Sequence, residues 1–311
     1  MGNIFRVDVN NSDFIAALDA ERRLFAYYGL EARSQYIELP GLGIKVRISE
    51  IGSGKPAVIV PGNVGEVFPL APLMAELKGR RIIAVNRPGG GGSDGVNYLN
   101  VNFREFTVQW LTALLDTLKL DEVPIIAHSI GGHMSLLMAL DKPERVSALV
   151  LPGVPGQVPG TRPPLFLIAL GIPGLDRILN IFSPQKSGRT LRPLSLMGHS
   201  PSTIAGLPGA MSDCYYYFGR IPDAKVLSRS FIRSLTRPGI SLTPEQLGGV
   251  KQPALFLWGT NDNFSTVAKG QKVAGMLPAG RFMAIQGGGH LPWLDSPAEC
   301  GWLIMEFLSD Y

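Results

Sequence analysis

The stretch that decides the fold is IIAHSIGGHM, residues Ile125–Met134. Two branched apolar residues lead into a serine, and small residues stand two positions before it and two positions after it, at Ala127 and Gly131. This spacing is typical of a sharp turn from a strand into a helix, because only small side chains fit where the two elements cross. The pattern therefore predicts that Ser129 is held on such a turn, in the open space above a sheet.

Short apolar runs flank this turn along most of the chain, and helical segments separate them. The runs are rich in β-branched residues and contain few polar ones, which is typical of strands covered on both faces. Strands that alternate with helices predict a mostly parallel α/β sheet. The runs span residues 57–62, 81–85, 123–128, 146–151, 254–259 and 281–286.

Two further patterns complete the predicted core. Residues 34–39 and 44–50 alternate polar and apolar side chains, which predicts a half-exposed antiparallel hairpin. Residues 102–118 carry one apolar stripe at helical spacing, and Asn102 with Glu105 forms a pair typical of a helix start.

The alternation of strands and helices stops and later resumes, which predicts the domain organisation. Residues 1–33 form an N-terminal extension with an amphipathic helix over 12–29. Residues 34–151 and 253–311 are the two parts of the α/β core. Residues 152–252 are punctuated by Pro and Gly and read as a mostly helical insertion.

The composition is that of a globular protein, with 45% apolar and 17% charged residues in 311. The net charge is +4, but no run of five Lys or Arg occurs, so nucleic acid is not an expected partner. The charge is unevenly placed. Residues 151–240 hold ten Lys or Arg against three Asp, a net charge of +7, which predicts a surface that attracts anionic groups.

No segment predicts export or membrane insertion. The first ten residues lack the apolar stretch of a secretory signal, and the apolar run 163–175 is short and broken by proline. The two cysteines, Cys214 and Cys300, form no framework. We therefore expect a cytoplasmic protein without a membrane span.

At the serine turn the chain resembles the α/β-hydrolases, whose nucleophile stands in a Gly-x-Ser-x-Gly turn. The sequence here is Ala127-His128-Ser129-Ile130-Gly131, so one small residue replaces the first glycine. The resemblance covers about residues 34–151 and 252–311. It implies a twisted, mostly parallel sheet with helices on both faces, an inserted helical cap, Ser129 as nucleophile and the N–H of Ile130 as an oxyanion donor.

The family's chain order of serine, acid and histidine implies the other catalytic residues. His290 follows the last strand and is the implied base; the other histidines are His128, expected to point away from Ser129, His133, expected beneath the turn, and His199 in the insertion. Asp262 follows the strand at 254–259 and is the implied acid. The remaining carboxylates between Ser129 and His290 are Asp141, Glu144, Asp176, Asp213, Asp223 and Glu245. Asn263 and Asp295 are expected at the surface.

Two glycine loops also match the family. The loop after residues 57–60 implies a second oxyanion donor, the N–H of Asn63, and the N–H of Val64 is the alternative donor. The segment NRPGGGGSD, residues 86–94, is similar to a structural loop of these hydrolases, with Asn86 where an Asp is usual. It fails the spacing of a phosphate-binding loop and is interpreted as structural.

The residues leave three functions open. A serine at the turn, where dehalogenases and epoxide hydrolases of this fold have Asp, favours a carboxylesterase-like hydrolase that cleaves an ester, lactone or thioester through an acyl-enzyme. The alternatives are a carbon–carbon bond hydrolase of ring-cleavage products, with Arg162, Arg177 or Arg192 binding a dienoate, and a non-catalytic ligand receptor.

The expected partner is a small, largely apolar substrate, with no cofactor and no metal. The insertion also offers a surface for a homodimer. The candidate substrate contacts are Val64, His128, Phe166, Tyr215 and Trp293.

Overall fold

The computed structural model describes residues 4–163, 165, 168–169, 172 and 187–311. Within these residues, eight strands form one sheet: β2 (Arg33–Leu39), β3 (Ile44–Ile51), β4 (Pro56–Val60), β5 (Arg81–Val85), β7 (Val123–Ala127), β8 (Val146–Pro152), β9 (Ala254–Gly259) and β10 (Gly280–Ile285). Their order across the sheet is β10-β9-β8-β7-β4-β5-β3-β2. A separate short ribbon pairs β1 (Ile4–Phe5) with β6 (Gly95–Val96).

The sheet is parallel from β10 to β5 and antiparallel at the β2–β3 edge. Every residue of β7 and β9 is buried, as their unbroken apolar composition predicts. The mostly parallel α/β fold and the antiparallel hairpin are therefore confirmed. The prediction that residues 281–286 are covered on both faces is wrong, because β10 is an edge strand whose Arg281 and Met283 are exposed.

Helices cover both faces of the sheet. The core helices are α1 (Ser12–Tyr27), α2 (Ala71–Met74), α3 (Phe103–Thr117), α4 (Ile130–Asp141), α9 (Val267–Ala274), α10 (Pro292–Asp295) and α11 (Pro297–Phe307). One apolar cluster packs α3, α4 and α9 against the sheet, and a second packs α1, α2 and α11 against the other face. The Asn102 side chain accepts hydrogen bonds at the start of α3, as predicted.

The segment between β8 and β9, called the inserted segment below, is helical in its described part. Its helices are α5 (Pro201–Gly206), α6 (Gly209–Phe218), α7 (Ala224–Ser234) and α8 (Pro244–Gly249). Helix α6 packs on α1, and ion pairs Arg23–Asp213 and Arg220–Asp13 join the inserted segment to the N-terminal helix. In the parts of the chain that the structure describes, no helix has the length and apolar character needed to cross a membrane.

His133 is wholly buried on α4, one turn after Ser129. Neither ring nitrogen has a hydrogen-bond partner among the described residues. Burial, with a contribution from the Arg104 charge, lowers the pKa of His133 to about 3. The folded protein therefore keeps this imidazole neutral at pH values where the unfolded chain, with a histidine pKa of about 6.5, binds a proton.

The stabilising effect of a neutral His133 is fully present above about pH 6.5 and declines as the pH falls towards 3. As the pH falls from 7 to 5, protonation of His133 in the unfolded chain should lower the free energy of unfolding by about 2 kcal/mol. Urea denaturation at the two pH values measures the loss. His133→Leu removes that share of the pH dependence, and an unchanged dependence in this variant contradicts the assignment.

Candidate active site

Ser129 stands on a strained turn between β7 and α4. Its backbone has φ 53° and ψ −120°, a conformation that non-glycine residues rarely adopt. The turn is tight because the start of α4 packs against the loop that follows β4. A Cβ atom at Gly131 would overlap the carbonyl oxygens of Val60 and Pro61, so this position requires glycine.

Ser129, His290 and Asp262 form one line of hydrogen bonds. Ser129 Oγ lies 2.9 Å from His290 Nε2, and His290 Nδ1 lies 2.9 Å from Asp262 Oδ2. A carboxylate only accepts, so Nδ1 carries the proton and Nε2 is free to accept from the serine hydroxyl. The arrangement can take the Ser129 proton onto His290 as the serine attacks an electrophilic carbon.

The loops on either side hold the acid and the histidine in place. Asp262 Oδ1 accepts from the backbone N–H of Phe264 at 2.8 Å, and Oδ2 accepts from that of Val154 at 3.4 Å. The Phe264 ring stacks on the His290 imidazole with ring centroids 3.7 Å apart. These contacts fix the imidazole in both position and plane. Asn263, the residue after Asp262, is exposed, as predicted.

Two predicted substrate contacts lie behind His290 instead of in a cavity. His128 is buried, and its Nε2 donates to the His290 carbonyl oxygen at 3.1 Å. Burial, and then the neighbouring His290, lowers the pKa of His128 well below its usual value, so the ring stays neutral. Trp293 is fully buried and donates from Nε1 to the Pro69 carbonyl oxygen at 2.8 Å. Both side chains support the loop that carries His290.

The predicted oxyanion donors lie next to the serine. Asn63 and Ile130 line the same cavity as Ser129. Ile130 is the first residue of α4, so its N–H has no acceptor within the helix. The Asn63 loop is held from behind by Arg87, whose Nη2 donates to the Asn63 carbonyl oxygen at 3.2 Å.

Two neighbouring cavities share Ile232 in their lining, and Ser129 lines the first of them. The first, about 110 Å³, reaches Ser129 and is mostly apolar; its lining includes Val154, Ile168 and Phe264. Arg162, one of the three arginines predicted for a dienoate, also lines it, whereas Arg192 lines neither cavity and Arg177 lies outside the described residues. The second, about 200 Å³, is lined by Val64, Glu66, Arg87, Tyr215, Lys225 and Arg229 among others. Val64 and Tyr215 were predicted as substrate contacts and lie at this second cavity, whereas Phe166 lies outside the described residues.

The contact of Arg87 with the loop that carries Asn63, the predicted oxyanion donor, gives a testable prediction. Its guanidinium is buried, stacks on the Phe231 ring at 3.6 Å, and holds Pro88, Tyr98 and Asn63 at once. A lysine keeps the charge but not this planar set of donors. We expect Arg87→Lys to lower kcat for p-nitrophenyl butyrate about 10-fold with little change in KM, because misplaced oxyanion donors weaken the transition state.

Arg281→Lys, a change at an exposed arginine of β10, is the control for Arg87→Lys and should leave kcat unchanged. Steady-state kinetics of the two folded variants make the comparison. Equal kcat values for Arg87→Lys and the wild type would show that Arg87 does not position the loop that carries Asn63.

The sequence profile of the alpha/beta hydrolase family matches residues 57–300. The chain belongs to this family. The α/β-hydrolase resemblance drawn from the serine turn is therefore confirmed, and the chain is a hydrolase of this superfamily. The match spans the turn at Ser129 and reaches past His290.

The proteins similar to this α/β-hydrolase include dienoate hydrolases and esterases. It is 25% identical over 299 residues to a 2-hydroxy-6-oxononadienedioate/2-hydroxy-6-oxononatrienedioate hydrolase of Paraburkholderia phymatum, covering 89% of this chain and 96% of that protein. The structure of 2-hydroxy-6-oxo-6-phenylhexa-2,4-dienoate hydrolase from Rhodococcus sp. superposes with a TM-score of 0.70 at 16% identity, covering 89% and 99% of the two chains. The structure of naproxen esterase from Bacillus subtilis superposes with a TM-score of 0.72 at 16% identity, covering 96% of this chain and 99% of that chain.

Four residues near the site of this α/β-hydrolase were not predicted. Arg87 lies in a loop that was interpreted as structural, and Glu66 is a lone carboxyl group just after the Asn63 loop, which is a usable sequence signal. His199 and Asp295 meet behind His290. Asp295 was expected at the surface, but its side chain is only 8% exposed because the inserted segment covers it.

Proposed function

We propose that this α/β-hydrolase cleaves a carbon–carbon bond in a vinylogous 1,5-diketone that carries a carboxylate, with Ser129 as nucleophile. The observation that carries the proposal is the pairing of an apolar cavity at Ser129 with a cation-rich cavity beside it. Several relatives that cover most of the chain are named as hydrolases of 2-hydroxy-6-oxo dienedioates, which carry a carboxylate at each end. A structurally similar enzyme is named for a 6-phenyl dienoate, which has one carboxylate end and one apolar ketone substituent, and this kind of substrate fits two unlike cavities.

The proposed reaction begins with attack on the ketone. Ser129 Oγ bonds to the ketone carbon while its proton moves to His290 Nε2, and Asp262 stabilises the imidazolium. The oxyanion accepts from the N–H groups of Asn63 and Ile130. The substrate reacts as its diketone tautomer, so collapse breaks the carbon–carbon bond with the electron pair delocalised onto the 2-oxo group. The dienoate fragment then takes its proton from the His290 imidazolium, which becomes neutral again. Water attacks the acyl-enzyme with His290 as base and releases a carboxylic acid.

A carbon leaving group departs only if its electron pair spreads onto neighbouring oxygens. The second cavity suits that requirement, because Arg87, Lys225 and Arg229 outnumber its one carboxyl group, Glu66. We propose that the dienoate end binds here and that the ketone substituent occupies the apolar cavity.

A direct comparison of two substrates tests the proposal. We expect purified protein to convert 2-hydroxy-6-oxo-6-phenylhexa-2,4-dienoate to benzoate with a kcat/KM about 10²-fold or more above that for p-nitrophenyl butyrate, since binding energy at the second cavity is used only by the first substrate. Loss of the dienoate absorbance and chromatography of benzoate measure it. Rapid ester hydrolysis with an untouched dienoate contradicts the proposal.

Lys225 provides a charge control for the same assay. Lys225→Met should raise KM for the dienoate but not for the neutral ester, because only the dienoate brings a negative charge to the second cavity. Lys251→Met, at an exposed lysine beyond α8, should change neither value.

Glu66 predicts a pH dependence of substrate binding. Burial raises the pKa of Glu66 to about 7, against the hydrogen bond from Gly91 and the charge of Arg87, which favour ionisation. Above pH 7 the carboxylate adds negative charge to the proposed dienoate site. We therefore expect KM for the dienoate to rise between pH 7 and pH 9, while KM for p-nitrophenyl butyrate stays level.

Glu66→Gln keeps an oxygen for the Gly91 N–H but cannot ionise, so it should abolish the rise in KM. Steady-state kinetics at each pH decide the point. A dienoate KM that is flat in the wild type, or that rises equally in Glu66→Gln, would show that Glu66 does not face the bound substrate.

Ester hydrolysis is the second candidate, and the apolar lining of the cavity at Ser129 favours it. Valine, proline, isoleucine, leucine and phenylalanine side chains there would accept a neutral acyl chain of an ester, lactone or thioester. Both reactions pass through the same acyl-enzyme. Preference for neutral esters in the substrate comparison would select this candidate.

A further inference from the structure

A second histidine–carboxylate pair lies directly behind the loop that carries His290. His199 comes from the inserted segment, and its Nδ1 lies 2.8 Å from Asp295 Oδ2. The His199 side chain is fully buried and that of Asp295 nearly so. Asp295 also accepts from the Thr203 hydroxyl at 2.8 Å and from the Gly289 N–H at 2.8 Å. Burial opposes ionisation, but these hydrogen bonds lower the pKa of Asp295 below its usual value.

The hydrogen bonds fix the tautomer of His199. The backbone N–H of Leu291 points at His199 Nε2, at 3.3 Å. A backbone N–H can only donate, so Nε2 presents a lone pair and the ring proton lies on Nδ1, facing Asp295. His199 thus accepts a hydrogen bond from Leu291 at Nε2 and donates one to Asp295 from Nδ1.

These contacts hold the backbone on both sides of the proposed base. Gly289 N–H donates to Asp295, His290 N–H donates to the Met197 carbonyl oxygen at 2.9 Å, and Leu291 N–H donates to His199. The His199 ring occupies the space where a side chain at position 289 would lie, with ring atoms 2.8 Å from an ideal Cβ. The inserted segment therefore supplies two of the three acceptors for consecutive N–H groups.

We propose that His199 and Asp295 are positioning residues that set the place of His290 relative to Ser129 and make the inserted segment part of the catalytic geometry. The inference rests on the proposed role of His290 as base, but not on which substrate is cleaved. His199 touches neither Ser129 nor the two cavities beside it, so it acts through the loop. A shift of about 1 Å in a catalytic group costs on the order of 10²-fold in rate.

Two amide variants separate the contacts of His199. In His199→Gln, the side-chain oxygen stands in for Nε2 and keeps the acceptor for Leu291. In His199→Asn, the side-chain nitrogen stands in for Nδ1, keeps the bond to Asp295 and leaves the Leu291 N–H without an acceptor. The probes are p-nitrophenyl butyrate for steady-state kinetics and a fluorophosphonate for the rate of labelling.

We expect His199→Asn to lower kcat and the labelling rate about 10-fold to 100-fold with KM changed less than about twofold, because the loop carrying His290 shifts. His199→Gln keeps the acceptor for Leu291 but loses the donor to Asp295, so it should lower kcat only several-fold. The proton NMR signal of His290 Nδ1–H, which reports its bond to Asp262, should move further in His199→Asn than in His199→Gln.

Thr203→Val serves where His199→Asn does not fold, because it removes only the half-buried hydroxyl that donates to Asp295. It should lower kcat several-fold and shift the same NMR signal. The inference is overturned if a folded His199→Asn or Thr203→Val keeps the wild-type kcat and signal, or if Gln is as damaging as Asn. A wild type that neither labels nor turns over would instead reject the role of His290, and with it both proposals.

Discussion

Replacing Ser129 with alanine should lower kcat for p-nitrophenyl butyrate and for the dienoate by about 10⁴-fold or more, because it removes the hydroxyl that is hydrogen-bonded to His290 Nε2. The hydroxyl lies 2.9 Å from that nitrogen, on a turn that fixes its direction. Alanine keeps the Cβ atom, so the backbone strain at this position is unchanged and the fold should stay intact. Stopped assays at high enzyme concentration would measure the residual rate.

Ser135→Ala is the matched control for Ser129→Ala. Ser135 lies on the same helix, is fully buried, and uses its hydroxyl only to donate to the Gly131 carbonyl oxygen at 2.9 Å. Its removal should leave kcat within about twofold, since a local helix hydrogen bond contributes little. Retention of more than about 1% of the activity by Ser129→Ala would be incompatible with a serine nucleophile.

Replacing Asp262 with asparagine should lower kcat by about 10⁴-fold while the protein stays folded. Asp262 accepts from His290 Nδ1 at 2.9 Å and is itself held by the N–H of Phe264. An amide can occupy the same space, but its NH₂ group favours the histidine tautomer with the proton on Nε2, which cannot accept from Ser129. The imidazolium would also lose its compensating charge.

Asp121→Asn, at an exposed aspartate just before β7, controls for the loss of a carboxylate and should leave kcat unchanged. Fluorophosphonate labelling of Asp262→Asn should slow in parallel with turnover, because both reactions need the same activated serine. A fall of less than about 10-fold in kcat would mean that another carboxylate, or none, orients His290.

Local sequence patterns were sufficient for the fold and for the serine turn. Unbroken β-branched runs identify strands that must be covered on both faces, and the small residues around Ser129 follow from how closely α4 approaches the β4 loop. The error at β10 has a physical cause. Met283 and Ala284 count as apolar and hide an alternation that exposes every second residue of an edge strand.

The support around His290 could not be predicted, because it depends on how distant segments dock. Nothing in the spacing of His199 and Asp295 indicates that they meet across 96 residues. His128 and Trp293 lie near the proposed catalytic residues in the sequence, yet their side chains support the loop that carries His290 and line neither cavity. Proximity in sequence is thus a poor guide to substrate contact at this site.

The most direct test of the central claim is the site of covalent labelling. We would treat the full-length protein with a fluorophosphonate, digest it, and locate the adduct by mass spectrometry. We predict one adduct per chain, on the peptide that contains Ser129, at a rate that falls when His290 is replaced by Gln. An adduct on any other residue, or no adduct under conditions that label a known serine hydrolase, would contradict the account.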